Sequence, residues 1–123
     1  MTYDLTILGL GYIGLPMAAV SAQAGFNVLG VDINPHVVQT VNAGNVHIEE
    51  PGLAPLLKNV VSSGKLRADS KPAASNIFMI AVPTPVDHAT RKPDMGMVES
   101  AARAVASVVT AGNLVILQST SPV

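Results

Sequence analysis

The chain has 123 residues, enough for a single domain with a hydrophobic core, and we predict one domain over residues 1–123. Hydrophobic residues make up 49% of the chain and charged residues only 12%, whereas charged residues usually reach about a quarter of a soluble domain. The formal net charge of −1 gives no electrostatic reason to expect nucleic acid or an acidic membrane as a partner, and the absence of cysteine excludes disulfides and cysteine zinc sites.

Two explanations fit so low a charge content: a sheet buried on both faces, or a surface that meets another domain. The longest uncharged run, residues 5–31, is interrupted by glycines and a proline, follows Asp4 and has no basic leader. We therefore expect neither a signal peptide nor a membrane span, and we predict a cytoplasmic protein.

Apolar runs alternate with helical patterns along the chain. Strands are predicted over residues 5–9, 27–31, 66–68, 77–82 and 114–117. Helices are predicted over residues 12–24, 35–43, 53–63 and 95–109, the first three each followed directly by a glycine. On the last helix, the residues expected near one face are Met97, Ala101, Ala104, Val105 and Val108. This alternation with short connections predicts an α/β fold, a doubly wound parallel sheet with helices on both faces.

A glycine pattern, G-x-G-x-x-G, lies between the first predicted strand and the first predicted helix, at Gly9, Gly11 and Gly14. Gly9 permits a tight turn, Gly11 leaves no side chain between the backbone and a pyrophosphate, and Gly14 lets the helix lie close to the strand. The start of the helix then offers free amide groups to the phosphates. The pattern predicts a phosphate-binding turn.

Asp32 ends the second predicted strand, 18 residues after Gly14. A carboxylate at this place can bind both hydroxyls of an adenosine ribose. It repels a 2′-phosphate, and residues 33–37 contain no Arg or Lys to bind one. Together with the glycine pattern, Asp32 predicts a Rossmann-type fold with NAD as cofactor. The alternative is a plain strand–turn–helix in which Asp32 is a solvated residue at a strand end.

Several segments carry a resemblance to a known family. GLGYIGLP, GVDIN, AVPTP and STSPV, in this order and spacing, resemble the nucleotide-sugar dehydrogenases, which oxidise UDP-glucose, GDP-mannose or UDP-N-acetylmannosamine to uronic acids. VHIEEPGL and ESAARAV resemble the UDP-N-acetyl-D-mannosamine dehydrogenase branch most. The resemblance implies that the chain is the NAD-binding domain of a longer, homo-oligomeric enzyme, in which a central domain and a UDP-sugar domain follow.

The resemblance also implies roles for single residues. The backbone at Tyr12 and Ile13 would contact the pyrophosphate, and Asp32 would bind the adenosine ribose. Thr84 would lie beside the ribose and phosphate of the cofactor. Thr120 would lie near the nicotinamide, where it would help to position a water or a substrate oxygen. Both threonines follow strands, where ligands of open α/β sheets gather. The alternatives are a turn residue between two prolines for Thr84 and a helix cap for Thr120.

The chain departs from the family pattern in two respects. Gln118 stands where the family has Glu, which changes a local hydrogen bond. The family's catalytic cysteine and lysine would lie beyond Val123. Because the aldehyde intermediate is held by a thiolate before the second hydride transfer, and this chain has no cysteine, we predict that the chain alone binds NAD but is inactive.

Two other functions stay open. One is a nucleotide-sensing regulatory module of a channel or transporter, and the other is a dehydrogenase of the beta-hydroxyacid type. A regulatory module has no need of a PTP loop or an STSP turn near the nicotinamide. We predict no metal site, because His47, Glu49 and Glu50 lack both a fourth ligand and a helical spacing.

Overall fold

The structure is a computed structural model that describes residues 2–82 and 96–118. Within these ranges the elements are β1 (Tyr3–Leu8), α1 (Gly14–Gln23), β2 (Val28–Val31), α2 (Pro35–Asn42), α3 (Leu53–Ser62), β3 (Leu66–Asp69), β4 (Ser75–Ile80), α4 (Gly96–Ala106) and β5 (Leu114–Leu117). Every predicted element is present, and its ends differ from the predicted ones by at most three residues.

All five strands of the sheet are parallel, in the order β3-β2-β1-β4-β5. β1 lies in the middle, where Leu5 pairs with Val28 of β2 on one side and with Ile77 of β4 on the other. The chain proceeds from β1 outward to β3 and then returns to the other side of β1 to form β4. In open α/β sheets this reversal marks the place, beyond the carboxyl ends of the strands, where ligands bind.

Helices cover both faces of the sheet, as predicted. On one face, residues of α1, α2 and α3 pack against a core that includes Leu5, Ile7, Val28 and Leu66. On the other face, Ala101 and Val105 of α4 pack in a cluster with Leu8, Leu29, Val31, Phe78 and Ile80. Strands buried on both faces need few charged residues. Of the two explanations for the low charge content, a sheet buried on both faces therefore holds for the centre of the sheet.

The buried face of α4 differs from the predicted one at a single residue. Val98, Ala101 and Val105 are buried, at the helical spacing i, i+3, i+7. Ala104 and Val108 are partly buried against the same cluster. The prediction for Met97 is wrong, because its side chain is 42% exposed. Val98, one position later, is buried instead.

The two edges of the sheet are different. At the β3 edge, Asn42 from the end of α2 pairs with the main chain of Ala68: its Nδ2 donates to the carbonyl oxygen (2.9 Å) and its Oδ1 accepts from the amide (2.8 Å). At the β5 edge, Leu114, Val115 and Leu117 are about half exposed. Within the part of the chain that the structure describes, no strand pairs with the outer side of β5.

Candidate functional site

Gly9 begins the turn that follows β1, in a conformation with a φ of +99°. This left-handed region favours glycine. A Cβ at Gly9 would lie 2.8 Å from the carbonyl carbon and oxygen of Ala81, just after β4. The amide of Gly9 donates to the carbonyl oxygen of Val31 at 2.8 Å. The turn therefore lies in contact with the ends of β2 and β4, and there is no space for a side chain at residue 9.

Gly14 is the first residue of α1, although the sequence predicted a start at Tyr12. A Cβ at Gly14 would overlap the carbonyl oxygen of Gly9, so the helix starts in direct contact with the turn. Residues 11–13 form the connection, and Ile13 already has helical backbone angles. The helix can lie this close to β1 only because residue 14 has no side chain.

Gly11 differs from the other two glycines, because a Cβ there would meet nothing within 4 Å. The space beside Gly11 is open. Tyr12 is 67% exposed next to it, and no side chain caps the start of α1 after Ile13. A free space beside a helix start that no side chain caps suits an anionic group such as a pyrophosphate.

Asp32 follows β2 and lies half-buried between two loops. Its Oδ2 accepts a hydrogen bond from the amide of Leu10, in the glycine turn, at 3.0 Å. Its Oδ1 accepts one from the amide of Asn34, at the start of α2, also at 3.0 Å. A carboxylate has about four lone-pair sites, so both oxygens can still accept hydroxyl groups of a ribose. The sequence predicted a carboxylate for a sugar at this position but not these two amide contacts.

A cleft with a volume of about 230 Å³ lies beyond the carboxyl ends of the strands. It brings Gly9 and Asp32 together with Met97 and with residues that the sequence analysis did not propose for the site, which include Ile33, Ser70, Pro72, Val82 and Ser100. Ile33 is 79% exposed. An apolar cleft with a few polar groups is typical of a small-molecule site. Ser70 and Pro72 could have been proposed for the site from the sequence, because they come just after the strand that neighbours β2.

Thr84 and Thr120 lie outside the described residues, so their predicted places beside the cofactor stay predictions. Gln118 is described, and its amide donates to the carbonyl oxygen of Ile80 at 2.8 Å. Across residues 2–82 and 96–118, no three His, Asp or Glu side chains come together as a possible metal site. In the same ranges no helix is both long enough and apolar enough to cross a membrane.

Comparison with known proteins agrees with this geometry. Residues 3–123 match the model of the UDP-glucose/GDP-mannose dehydrogenase family, NAD binding domain. The chain belongs to this family. The predicted family, the Rossmann-type fold and NAD as the cofactor are thereby confirmed. The comparisons support neither the regulatory module nor the beta-hydroxyacid-type dehydrogenase.

Three relatives of this nucleotide-sugar dehydrogenase domain illustrate the similarity. The UDP-N-acetyl-D-mannosamine dehydrogenase of Escherichia coli K12 is 53% identical over 121 residues, which are 97% of this chain and 28% of that protein. The NDP-N-acetyl-D-galactosaminuronic acid dehydrogenase of Ralstonia nicotianae is 51% identical over 120 residues, 97% of this chain and 28% of the relative. The solved UDP-N-acetyl-mannosamine dehydrogenase Cap5O of Staphylococcus aureus has a TM-score of 0.90 and 44% identity, over 95% of this chain and 29% of that one. The chain thus spans less than a third of the length of each relative.

Proposed function

We propose that this domain serves an oxidoreductase that oxidises UDP-N-acetyl-D-mannosamine to the corresponding uronic acid. The 53% identity to an enzyme of that name, over 97% of the chain, is the observation that carries the proposal. A second candidate substrate is a nucleotide-linked N-acetyl-D-galactosamine sugar, because a relative named for its uronic acid is 51% identical. Both candidates are 2-acetamido sugars on a nucleoside diphosphate.

The residues of the site fit NAD. The open space beside Gly11 leaves room for the pyrophosphate, which the amides at Tyr12 and Ile13 would bind. The Asp32 carboxylate, held at the carboxyl end of β2, would accept both hydroxyls of the adenosine ribose. Gly9 and Gly14 hold the turn and the helix in the required places. When bound, NAD supplies the acceptor for the hydride that leaves the sugar.

Thr84 and Thr120 complete the proposed cofactor site. We assign Thr84 to the ribose and phosphate of the cofactor and Thr120 to the nicotinamide, where its hydroxyl would position a water or a substrate oxygen. The support is their sequence context, AVPTP and STSPV, which resembles the family. The oxidation of an alcohol to an acid takes two two-electron steps, so two NAD are reduced for each sugar, and water provides the second oxygen of the acid.

We further propose that the 123-residue chain binds NAD but does not oxidise the sugar. The resemblance implies that the nucleophile and the sugar site lie in parts of the enzyme that this chain does not span. Without them nothing holds a sugar against the nicotinamide in reacting geometry. We expect modest affinity, because the resemblance implies that in the longer enzyme the cofactor lies in a cleft between this domain and another.

The test mixes the purified chain with NAD and UDP-N-acetyl-D-mannosamine and follows the absorbance of NADH, while calorimetry measures NAD binding. The expected result is binding without sustained NADH formation. The full-length protein, assayed in parallel with UDP-N-acetyl-D-galactosamine and UDP-glucose as alternatives, is expected to form two NADH per acetamido sugar. Sustained NADH formation by the chain alone would contradict the assignment of the chemistry to other domains. A preference of the full-length protein for UDP-glucose would contradict the proposed substrate class.

A further inference from the structure

Asp32 makes contacts that binding a ribose does not require. The amide of Leu10, which donates to its Oδ2, belongs to the glycine turn and lies between Gly9 and Gly11. The side chain of Leu10 is fully buried. It packs so tightly on β2 that a Cβ at Gly30 would lie 2.8 Å from its Cδ2. Leu10 is therefore held by core packing through its side chain and by the carboxylate through its amide.

The other carboxylate oxygen is fixed in a similar way. Oδ1 accepts from the amide of Asn34, whose own side chain accepts from the amide of His36 at 3.0 Å and caps α2. Asp32 thus connects the glycine turn to the start of α2. Hydrogen bonds to an ionised acceptor are stronger than hydrogen bonds between neutral groups. The two bonds to Asp32 therefore stabilise the position of the glycine turn relative to α2.

We propose that Asp32 is a positioning residue for the glycine turn, in addition to its contact with the ribose. Losing the carboxylate then weakens binding of the pyrophosphate, which Asp32 does not touch, because the turn no longer holds its binding geometry before the ligand arrives. An asparagine at position 32 has only one side-chain oxygen that can accept a hydrogen bond. Its NH2 group would face the other main-chain N–H, and two donors do not bond to each other. One of the two main-chain amides therefore loses its acceptor in Asp32→Asn. This inference rests on the proposed NAD site.

The test uses an NAD analogue whose adenosine ribose lacks the 2′ and 3′ hydroxyls. Calorimetry gives its Kd, and that of NAD, for the unmodified chain, Asp32→Asn and Asp32→Ala. If Asp32 acted only through the ribose hydroxyls, the analogue would bind all three proteins equally. We expect the Kd of the analogue to rise about fivefold or more in Asp32→Ala, which removes both acceptors, the effect of losing at least one ordinary hydrogen bond, and to rise less in Asp32→Asn, which keeps one oxygen. An analogue Kd that changes by less than about twofold would overturn the proposal.

Asp69→Asn is the matched control. Asp69 ends the neighbouring parallel strand β3, and its carboxylate accepts from the amide of the next residue, Ser70, at 2.6 Å. We expect Asp69→Asn to leave the Kd of both ligands unchanged. Equal losses in the Asp69 and Asp32 variants would show a general effect of removing charge and would overturn the positioning role.

A second measurement needs no ligand. Amide hydrogen exchange, followed by NMR, is expected to become about tenfold faster at Leu10 in Asp32→Ala, which removes both acceptors, and to stay unchanged there in Asp69→Asn. Unchanged exchange at Leu10 would show that the carboxylate does not hold the turn. If the unmodified chain binds neither NAD nor the analogue, the proposed cofactor site fails, while the exchange at Leu10 still decides the positioning role. Because asparagine has nearly the shape of aspartate, we expect Asp32→Asn to fold.

Discussion

At the residue scale, we expect Gly14 to matter for folding and Gly11 to matter for binding. A Cβ at Gly14 would overlap a backbone oxygen that cannot move without shifting β1, whereas a Cβ at Gly11 points into open space. We expect Gly14→Ala to lower the free energy of unfolding by about 3 kcal/mol or more. We expect Gly11→Ala to change it by less than about 1 kcal/mol. Urea unfolding followed by circular dichroism measures both, and equal losses would contradict the structure of the turn.

The same open space predicts the effect of a larger side chain at Gly11. In Gly11→Val the isopropyl group fills the place assigned to the pyrophosphate, so we expect NAD binding to be lost while the fold survives. Calorimetry with NAD measures the binding, and the far-ultraviolet circular dichroism spectrum is the control for folding. A folded Gly11→Val that binds NAD with unchanged Kd would show that the pyrophosphate lies elsewhere.

We also expect Asp32 to determine which dinucleotide the chain prefers. A carboxylate repels the 2′-phosphate of NADP, and no Arg or Lys follows within residues 33–37. We expect the chain to bind NAD more tightly than NADP. We expect Asp32→Ala to weaken NAD binding and to bring the Kd values of NAD and NADP closer together. Fluorescence titration with NADH and NADPH measures this ratio. A chain that prefers NADPH would contradict the assignment of Asp32 to the ribose.

At the element scale, the end of α2 is tied to the outer strand of the sheet. Asn42 satisfies both the amide and the carbonyl group of Ala68, which would otherwise face away from β2 without a partner strand. We expect Asn42→Ala to lower the free energy of unfolding by about 1–2 kcal/mol, since two modest hydrogen bonds are lost. The control is Asn59→Ala, which removes the same side chain from an exposed position of α3. Equal effects of both variants would contradict a specific role for Asn42.

The elements themselves could largely be predicted from the sequence, because apolar runs and glycine stops mark them. The ends were harder to place. The predicted start of α1 at Tyr12 was two residues early, since the turn after Gly9 needs residues 11–13 before the helix can begin. The predicted orientation of α4 was wrong at Met97. Residues 97 and 98 are neighbours on the helix, and only the packing of the folded chain decides which of them is buried.

At the scale of the whole molecule, the parallel sheet could be predicted from alternation. The spacing of the glycines and Asp32 predicted that they lie together, and Gly9 and Asp32 do line one cleft. The hydrogen bond from Leu10 to Asp32 could not be predicted, because it depends on how β1 and β2 pair in register. The cleft residues Ser70 and Ser100 come from segments 30 residues apart that meet only in the folded sheet. Local patterns do not contain such information.

The different edges of the sheet limit how copies of this domain can associate. An open strand edge is a template for another strand, and unlimited association needs an open edge on both sides of each copy. Here Asn42 binds the outward amide and carbonyl groups of Ala68 on β3, while among the described residues β5 is an apolar and uncharged strand that has no partner on its outer side. Two copies that paired through β5 would leave their β3 strands outside, and there the outward groups of Ala68 are already bonded to Asn42. Another strand that added to β3 would have to displace the side chain that holds α2 to the sheet, so we expect β3 to be a poorer template for a further strand than β5.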